Sequence, residues 1–254
     1  MTTSKEALRE QMKERLIVAL DVASRREAFY FVRLLQEEAG AYKIGMQLYN
    51  SEGPDMVEYI QLYGGKVFVD LKFHDIPNTV AQTSRVMARR QAFMYTMHAG
   101  GGSKMLKASA EAVADEAAKL AIEKPLALGV TVLTSISQQE FHDELGLTVS
   151  IGEHVLHLAQ MAKRSGLDGV VCSPHEIKAI REVCGEDFLI VTPGVRPAWA
   201  GSDDQQRIMT PGEAIRMGAS YLVVGRPITK AEDPAAAARR IVDEMTEAAW
   251  ESLK

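Results

Sequence analysis

Cysteine is scarce in this 254-residue sequence: Cys172 and Cys184 are the only two, too few for a disulfide framework and without metal-ligand spacing. They read as reduced structural thiols. No stretch approaches the ~18 apolar residues of a membrane span. The first fourteen residues carry Lys5, Glu6, Arg9, Glu10, Lys13 and Glu14 in place of an apolar core, so no secretory signal is expected and the cytoplasm is the default location. Basic runs are missing too. With 29 Lys+Arg against 34 Asp+Glu the net charge is −5, which argues against a broad nucleic-acid or anionic-membrane surface. Any anionic ligand must be met by a few local cations. No linker divides the chain, and no Gly-x-Gly-x-x-Gly follows the first apolar run, which weakens a dinucleotide-binding fold.

What is present is an ordinary folded composition, 46% hydrophobic and 25% charged. At about 150 residues per domain, the length fits two small domains or one large barrel. Short apolar runs that read as strands recur at Leu16–Asp21, Ala41–Gly45, Lys66–Lys72, Phe93–His98, Leu126–Thr131, Gly169–Cys172, Phe188–Thr192 and Ser220–Gly225. Helices between them are signposted. Ser24-x-x-Glu27, Ser173-Pro174-x-Glu176 and Thr210-Pro211-x-Glu213 place a capping oxygen three residues ahead of a carboxylate, and Asp233-Pro234 opens a last helix. Ala28, Val32, Leu35 and Ala39 form one apolar stripe that can lie on a sheet. Eight strand–helix units of this size predict an α/β fold, a single (β/α)₈ barrel over residues 1–254, with 1–14 as an extension able to form a helix. A doubly wound sheet is the alternative.

In such a barrel ligands bind at the C-terminal strand ends. Asp21, Lys43, Asp70, Lys72 and His98 end strands 1 to 4, Thr134 follows strand 5, Arg196 and Gln205 lie in the loop after strand 7, and Gly225 and Arg226 follow strand 8. Strand period two sends Asp70 and Lys72 to one face and Val69, Leu71 and Phe73 to the other. A structural ion pair is one reading of that arrangement, since buried charges must pair. Asp75 adds a second carboxylate to the same lysine. His154 and His157, three residues apart on a predicted helix, read as surface residues rather than metal ligands.

Val-Ala-Leu-Asp21, Lys43-Ile-Gly45, Asp70-Leu-Lys72-Phe-His-Asp75-Ile-Pro-Asn-Thr79, His98-Ala-Gly-Gly, Val132-Leu-Thr-Ser135, Thr192-Pro-Gly-Val-Arg196 and Val224-Gly-Arg226 follow one another in order. This ordered set resembles the orotidine 5′-phosphate decarboxylase family, over about residues 15 to 245. The resemblance implies a homodimeric barrel that converts orotidine 5′-monophosphate to UMP and CO₂ without metal or organic cofactor. It also implies that Asp70, Lys72 and Asp75 surround the reacting carboxylate, with Asp75, Ile76 and Thr79 supplied by the neighbouring subunit.

Loss of CO₂ leaves charge at C6 in the ring plane, where the π-system cannot delocalise it, so fixed electrostatic stabilisation is required. Lys72 is placed to stabilise that carbanion and donate the replacing proton, while Asp70 and Asp75 hold its ammonium. By the same resemblance Asp21 and Lys43 contact ribose hydroxyls, although a charged pair on adjacent strands also reads as a salt bridge. Thr134 hydrogen-bonds the pyrimidine edge, a role open to Ser135 as well. Pro193, Arg196, Gln205, Gly225 and Arg226 form the phosphate end, with Arg196 as a phosphate-side or loop-closure contact. A fork-shaped guanidinium and a backbone amide free of a side chain suit phosphate oxygens. Gly194 to Thr210 is long and polar for a barrel loop, and reads as a mobile lid or as a solvated surface loop.

Two rivals stand beside this reading. Relatives that act on sugar phosphates share the Asp-x-Lys-x-x-Asp array but use Mg²⁺ and place an acidic residue at strand 2. Lys43 stands there in this sequence, and a cation opposes Mg²⁺. The other rival is a non-catalytic nucleotide-binding barrel. Binding alone would not need carboxylates facing an anionic substrate.

Overall fold

The computed structural model describes residues 4–200 and 209–254. From the N-terminus come α1 (Lys5–Glu14), β1 (Leu16–Ala19), α2 (Arg25–Leu35), β2 (Ala41–Gly45), α3 (Met46–Glu52), α4 (Met56–Gln61) and β3 (Lys66–Phe73). Then follow α5 (Pro77–Arg89), β4 (Met94–His98), α6 (Gly102–Leu120), β5 (Leu126–Val130), α7 (Gln138–Asp143), α8 (Ile151–Arg164), β6 (Gly169–Val171) and α9 (Ile177–Cys184). The chain finishes with β7 (Leu189–Pro193), α10 (Pro211–Arg216), β8 (Tyr221–Val224), α11 (Arg226–Thr229) and α12 (Pro234–Glu251).

The eight strands pair in chain order and close as a barrel, as the strand–helix alternation predicts. Every pair with a described register is parallel. Closure removes the doubly wound alternative, whose sheet has free edges. The chain divides into two compact units, residues 1–70 with 192–254 and residues 71–191.

In the first unit, β1 lies between β2 and β8, with Ile17 opposite Ala41 and Val223. Leu16, Ile17, Val18, Ile44, Val67, Val69 and Leu222 have no exposed surface. The predicted stripe of α2 is buried at Ala28, Val32, Leu35 and Ala39, and Ser24 caps that helix by accepting from Glu27 N–H. Residues 5–14 are helical, and α1 packs on α12. Leu8 and Met12 are buried there, and Arg9 pairs with Asp243 at 2.8 Å. Thr210 and Glu213 form the expected reciprocal cap of α10. Asp233 caps α12 by accepting from Ala236 N–H at 2.9 Å.

In the second unit, β4 to β7 carry Met94, Tyr95, Met97, Leu128, Val170 and Ile190 into the core. Tyr95 keeps its hydroxyl paired with Ser109 at 3.0 Å, and Ser109 lies 2.6 Å from Ser84. Only glycine fits at 169, because a Cβ there would lie 2.3 Å from the Leu189 carbonyl oxygen on the paired strand. Both cysteines are buried, and neither is in a disulfide. Among the described residues, no helix is long and apolar enough to cross a membrane.

Boundaries depart from expectation at two useful places. The first strand stops at Ala19 rather than Asp21, which puts the Asp21 carboxylate beyond the last paired residue. The helix signalled by Ser173-Pro174 opens as one 3-10 turn, Pro174–Glu176, before α9 begins.

Candidate active site

Because all described pairs are parallel, the strands of each unit present their C-terminal ends on one side. In the first unit β1, β2 and β3 bring Asp21, Lys43 and Asp70 together there. Lys43 Nζ lies 3.1 Å from Asp21 Oδ1 and 3.7 Å from Asp70 Oδ2. The Lys43 and Asp70 side chains are 12% and 15% exposed, whereas Asp21 is 66% exposed. The salt bridge that is the alternative reading of Asp21 and Lys43 is formed, and it extends to Asp70. Two glycines leave space around it: a Cβ at Gly45 would sit 3.3 Å from Lys43 Nζ, and one at Gly225 would sit 3.7 Å from Asp21 Oδ2.

The same unit holds a cavity of about 320 Å³ beside β8, lined by Arg196, Trp199, Arg226 and Lys230 with Ala200, Pro227 and Ala231. Pro193 ends β7 and leads into this stretch. Arg226 is the first residue of α11, directly after Gly225. Arg196 is fixed at its backbone, where its N–H donates to Met209 O at 3.0 Å, and Val195 bridges to Met209. Gln205, with residues 201–208 of the expected lid, lies outside the described residues.

In the second unit β3 runs on through Phe73 and includes Lys72. The φ of Lys72 is 53°, in the left-handed region that disfavours a residue with a Cβ. Lys72 N–H donates to Thr96 Oγ1 at 2.9 Å, which anchors the twisted backbone to β4. A strained backbone at a charged strand end is the kind of outlier that clusters at functional sites. Beyond it, Asp75, Ile76 and Thr79 are exposed at the start of α5. Asp75 Oδ1 accepts from Ile76 N–H at 2.7 Å.

His98 stacks on His74, with centroids 5.1 Å apart. Burial, then the neighbouring His74 and Lys72, push the His98 imidazole below the usual histidine range. Its Nδ1 accepts from Gly100 N–H at 3.1 Å, which leaves the neutral ring's proton on Nε2. Thr134 and Ser135 are both exposed after β5, so their exposure does not choose between them. Among the described residues no group of three His, Cys, Asp or Glu side chains is suited to a metal.

Two residues here carry no motif signal, and a third is signalled only as a cap. Trp199 and Lys230 line the cavity, and only the spacing of Lys230, four after Arg226, hints that they share a side of a helical turn. Glu176 reads as a helix cap, but burial raises its carboxyl to about 7, against the lowering effect of the hydrogen bond it accepts from Ser173 N–H.

An eight-stranded parallel barrel with its cations gathered after β7 and β8 defines the class: a (β/α)₈ protein suited to a phosphate-bearing ligand. The chain belongs to the orotidine 5′-phosphate decarboxylase / HUMPS family, whose model matches residues 14–241. It is 53% identical over 238 residues to the orotidine 5′-phosphate decarboxylase of Syntrophomonas wolfei, covering 93% of this chain and 100% of that one. It is likewise 53% identical over 237 residues to that of Heliobacterium modesticaldum, covering 93% and 98%. A crystal structure of orotidine 5′-phosphate decarboxylase from Lactobacillus acidophilus superimposes with a TM-score of 0.81 at 40% identity, covering 90% of this chain and 97% of that one.

Proposed function

We propose that this chain decarboxylates orotidine 5′-monophosphate to UMP and CO₂, the last step in making UMP. The observation that carries the reading is Lys43, an ammonium between the Asp21 and Asp70 carboxylates on β2. A cation already occupies the place where Mg²⁺-dependent relatives put an acidic residue, so this site opposes the divalent ion that sugar-phosphate chemistry needs. The names of the close relatives point the same way.

In this mechanism the C6–carboxylate bond breaks, CO₂ leaves, and the electron pair stays on C6. Lys72 faces that pair with its ammonium and then transfers a proton to C6. Asp70, two residues before it on β3, and Asp75 hold the ammonium in place. Asp21 and Lys43 bind the ribose hydroxyls. Thr134 meets the pyrimidine edge, and Pro193, Arg196, Gln205, Gly225 and Arg226 form the phosphate end. Phosphate binding far from C6 contributes energy that assembles the charged centre.

The working form is a homodimer of single-barrel chains in the cytoplasm, binding neither nucleic acid nor membrane. Asp75, Ile76 and Thr79 then act on the neighbouring subunit's substrate. The exposure supports this: Ile76, just ahead of α5, is 67% exposed, and a second subunit would bury it.

Purified protein mixed with orotidine 5′-monophosphate and EDTA should show the ultraviolet change of decarboxylation. No turnover by folded protein overturns the assignment. A strict Mg²⁺ requirement, with turnover of a sugar phosphate, favours the rival chemistry.

A further inference from the structure

The cavity beside β8 holds more positive charge than the two arginines named by motif. Arg226 opens α11 and Lys230 closes it, with Lys230 N–H donating to Arg226 O at 3.0 Å. Four residues apart on one helical turn, the two side chains lie on the same side, and both line the cavity with Arg196. No carboxylate lines it among the described residues. Lys230 is exposed and makes no ion pair among the described residues. In a chain of net charge −5, three cations gather around this one cavity.

An indole lines the cavity as well. Trp199 is 36% exposed, and the Arg240 guanidinium on α12 lies 4.2 Å from its ring centroid. That cation–π contact ties the chain after β7 to α12 and fixes where the ring stands. A fixed apolar wall excludes water from one side of a bound phosphate, and lower local polarity strengthens each cation's attraction for it.

We propose that Lys230 is a third phosphate-binding cation, set against the Trp199–Arg240 wall, and that it makes the site selective for a phosphate monoester dianion. The proposal rests on the nucleotide reading above and adds a residue to it. A monoester carries about −1.5 to −2 charges at neutral pH, and a bare nucleoside none. A third cation therefore discriminates by ligand charge rather than by shape.

The test compares Lys230→Gln and Lys230→Arg with the wild type in binding UMP and uridine. Lys230→Gln should weaken UMP about 10-fold, as loss of one partly exposed charge-assisted contact does, and should leave uridine within about 2-fold. Its UMP affinity should also depend less steeply on salt, and Lys230→Arg should recover most of the loss. Unchanged UMP affinity in Lys230→Gln, or equal losses for UMP and uridine, overturns the proposal. The chain has two tryptophans, so Trp250→Phe leaves Trp199 as the sole indole reporter. If the wild type fails to decarboxylate orotidine 5′-monophosphate, the function falls, yet Trp199 emission titrated with inorganic phosphate still tests Lys230. Wild-type protein that binds neither UMP nor inorganic phosphate overturns it too.

Discussion

Lys43 Nζ lies 3.1 Å from Asp21 Oδ1, an ion pair that ties β2 to the residues just past β1. The same ammonium reaches Asp70 on β3, so removing it takes one cation from two carboxylates at once.

Lys43→Met should therefore lower kcat/KM by at least about 100-fold through lost substrate contacts and misplacement of Asp70. It should also cost on the order of 1–3 kcal/mol in urea unfolding, because the Asp70 carboxylate is largely buried. Asp21→Asn, at the exposed end of the network, should change stability by less than about 0.5 kcal/mol. Equal stability losses in the two variants would contradict this ordering.

Lys72, the proposed proton donor, has a left-handed backbone. Lys72→Ala should reduce turnover by about 10⁴-fold or more, since general-acid and electrostatic contributions are lost together. UMP binding should persist through the phosphate end. Lys72→Gly should be equally inactive but about 1 kcal/mol more stable than Lys72→Ala, because glycine adopts this φ without steric cost. Rapid-quench kinetics and parallel denaturation curves check both halves.

Asp75 acts across subunits in the proposed dimer. Chains carrying Asp75→Asn and chains carrying Lys72→Ala should each be inactive alone. When mixed and allowed to exchange, they should regain activity, since one of the two sites in each hybrid has both an intact Lys72 and an intact Asp75. Confirmed heterodimers without activity would place Asp75 in its own subunit's site.

Glu176 gives a pH dependence with a defined sign. Its folded carboxyl titrates at about 7 because it is buried, whereas an unfolded glutamate titrates near 4.3. Between those values the native chain holds more protons than the unfolded one, so this group's contribution falls as pH rises and is lost above about 7. Glu176→Gln mimics the neutral form. It should be more stable than wild type at pH 8 by up to about 3 kcal/mol, with the gap closing toward pH 5. A gap independent of pH would refute the buried carboxyl.

Much of this was legible in residue order. The stripe Ala28, Val32, Leu35 and Ala39 reads as one buried face, and it is buried. Thr210 and Glu213 announce a reciprocal cap, and they form one. These features depend on neighbours within a few residues, where chain geometry leaves few options. Strand ends were less certain. Asp21 belongs to an apolar run by composition, yet pairing stops at Ala19, because pairing depends on where β2 and β8 end.

The sequence by itself determined the alternation of strands and helices, the candidate charges at strand ends, and the Asp-x-Lys-x-x-Asp spacing. Periodicity, caps and short motifs are local properties of a chain. Only the tertiary structure decided that Lys43 answers two carboxylates, that Lys72 sits in a left-handed backbone, that Glu176 is buried, and that Arg240 stands over Trp199. Each of those depends on strand register or helix packing between residues far apart in sequence, which fixes distance and burial where composition fixes neither.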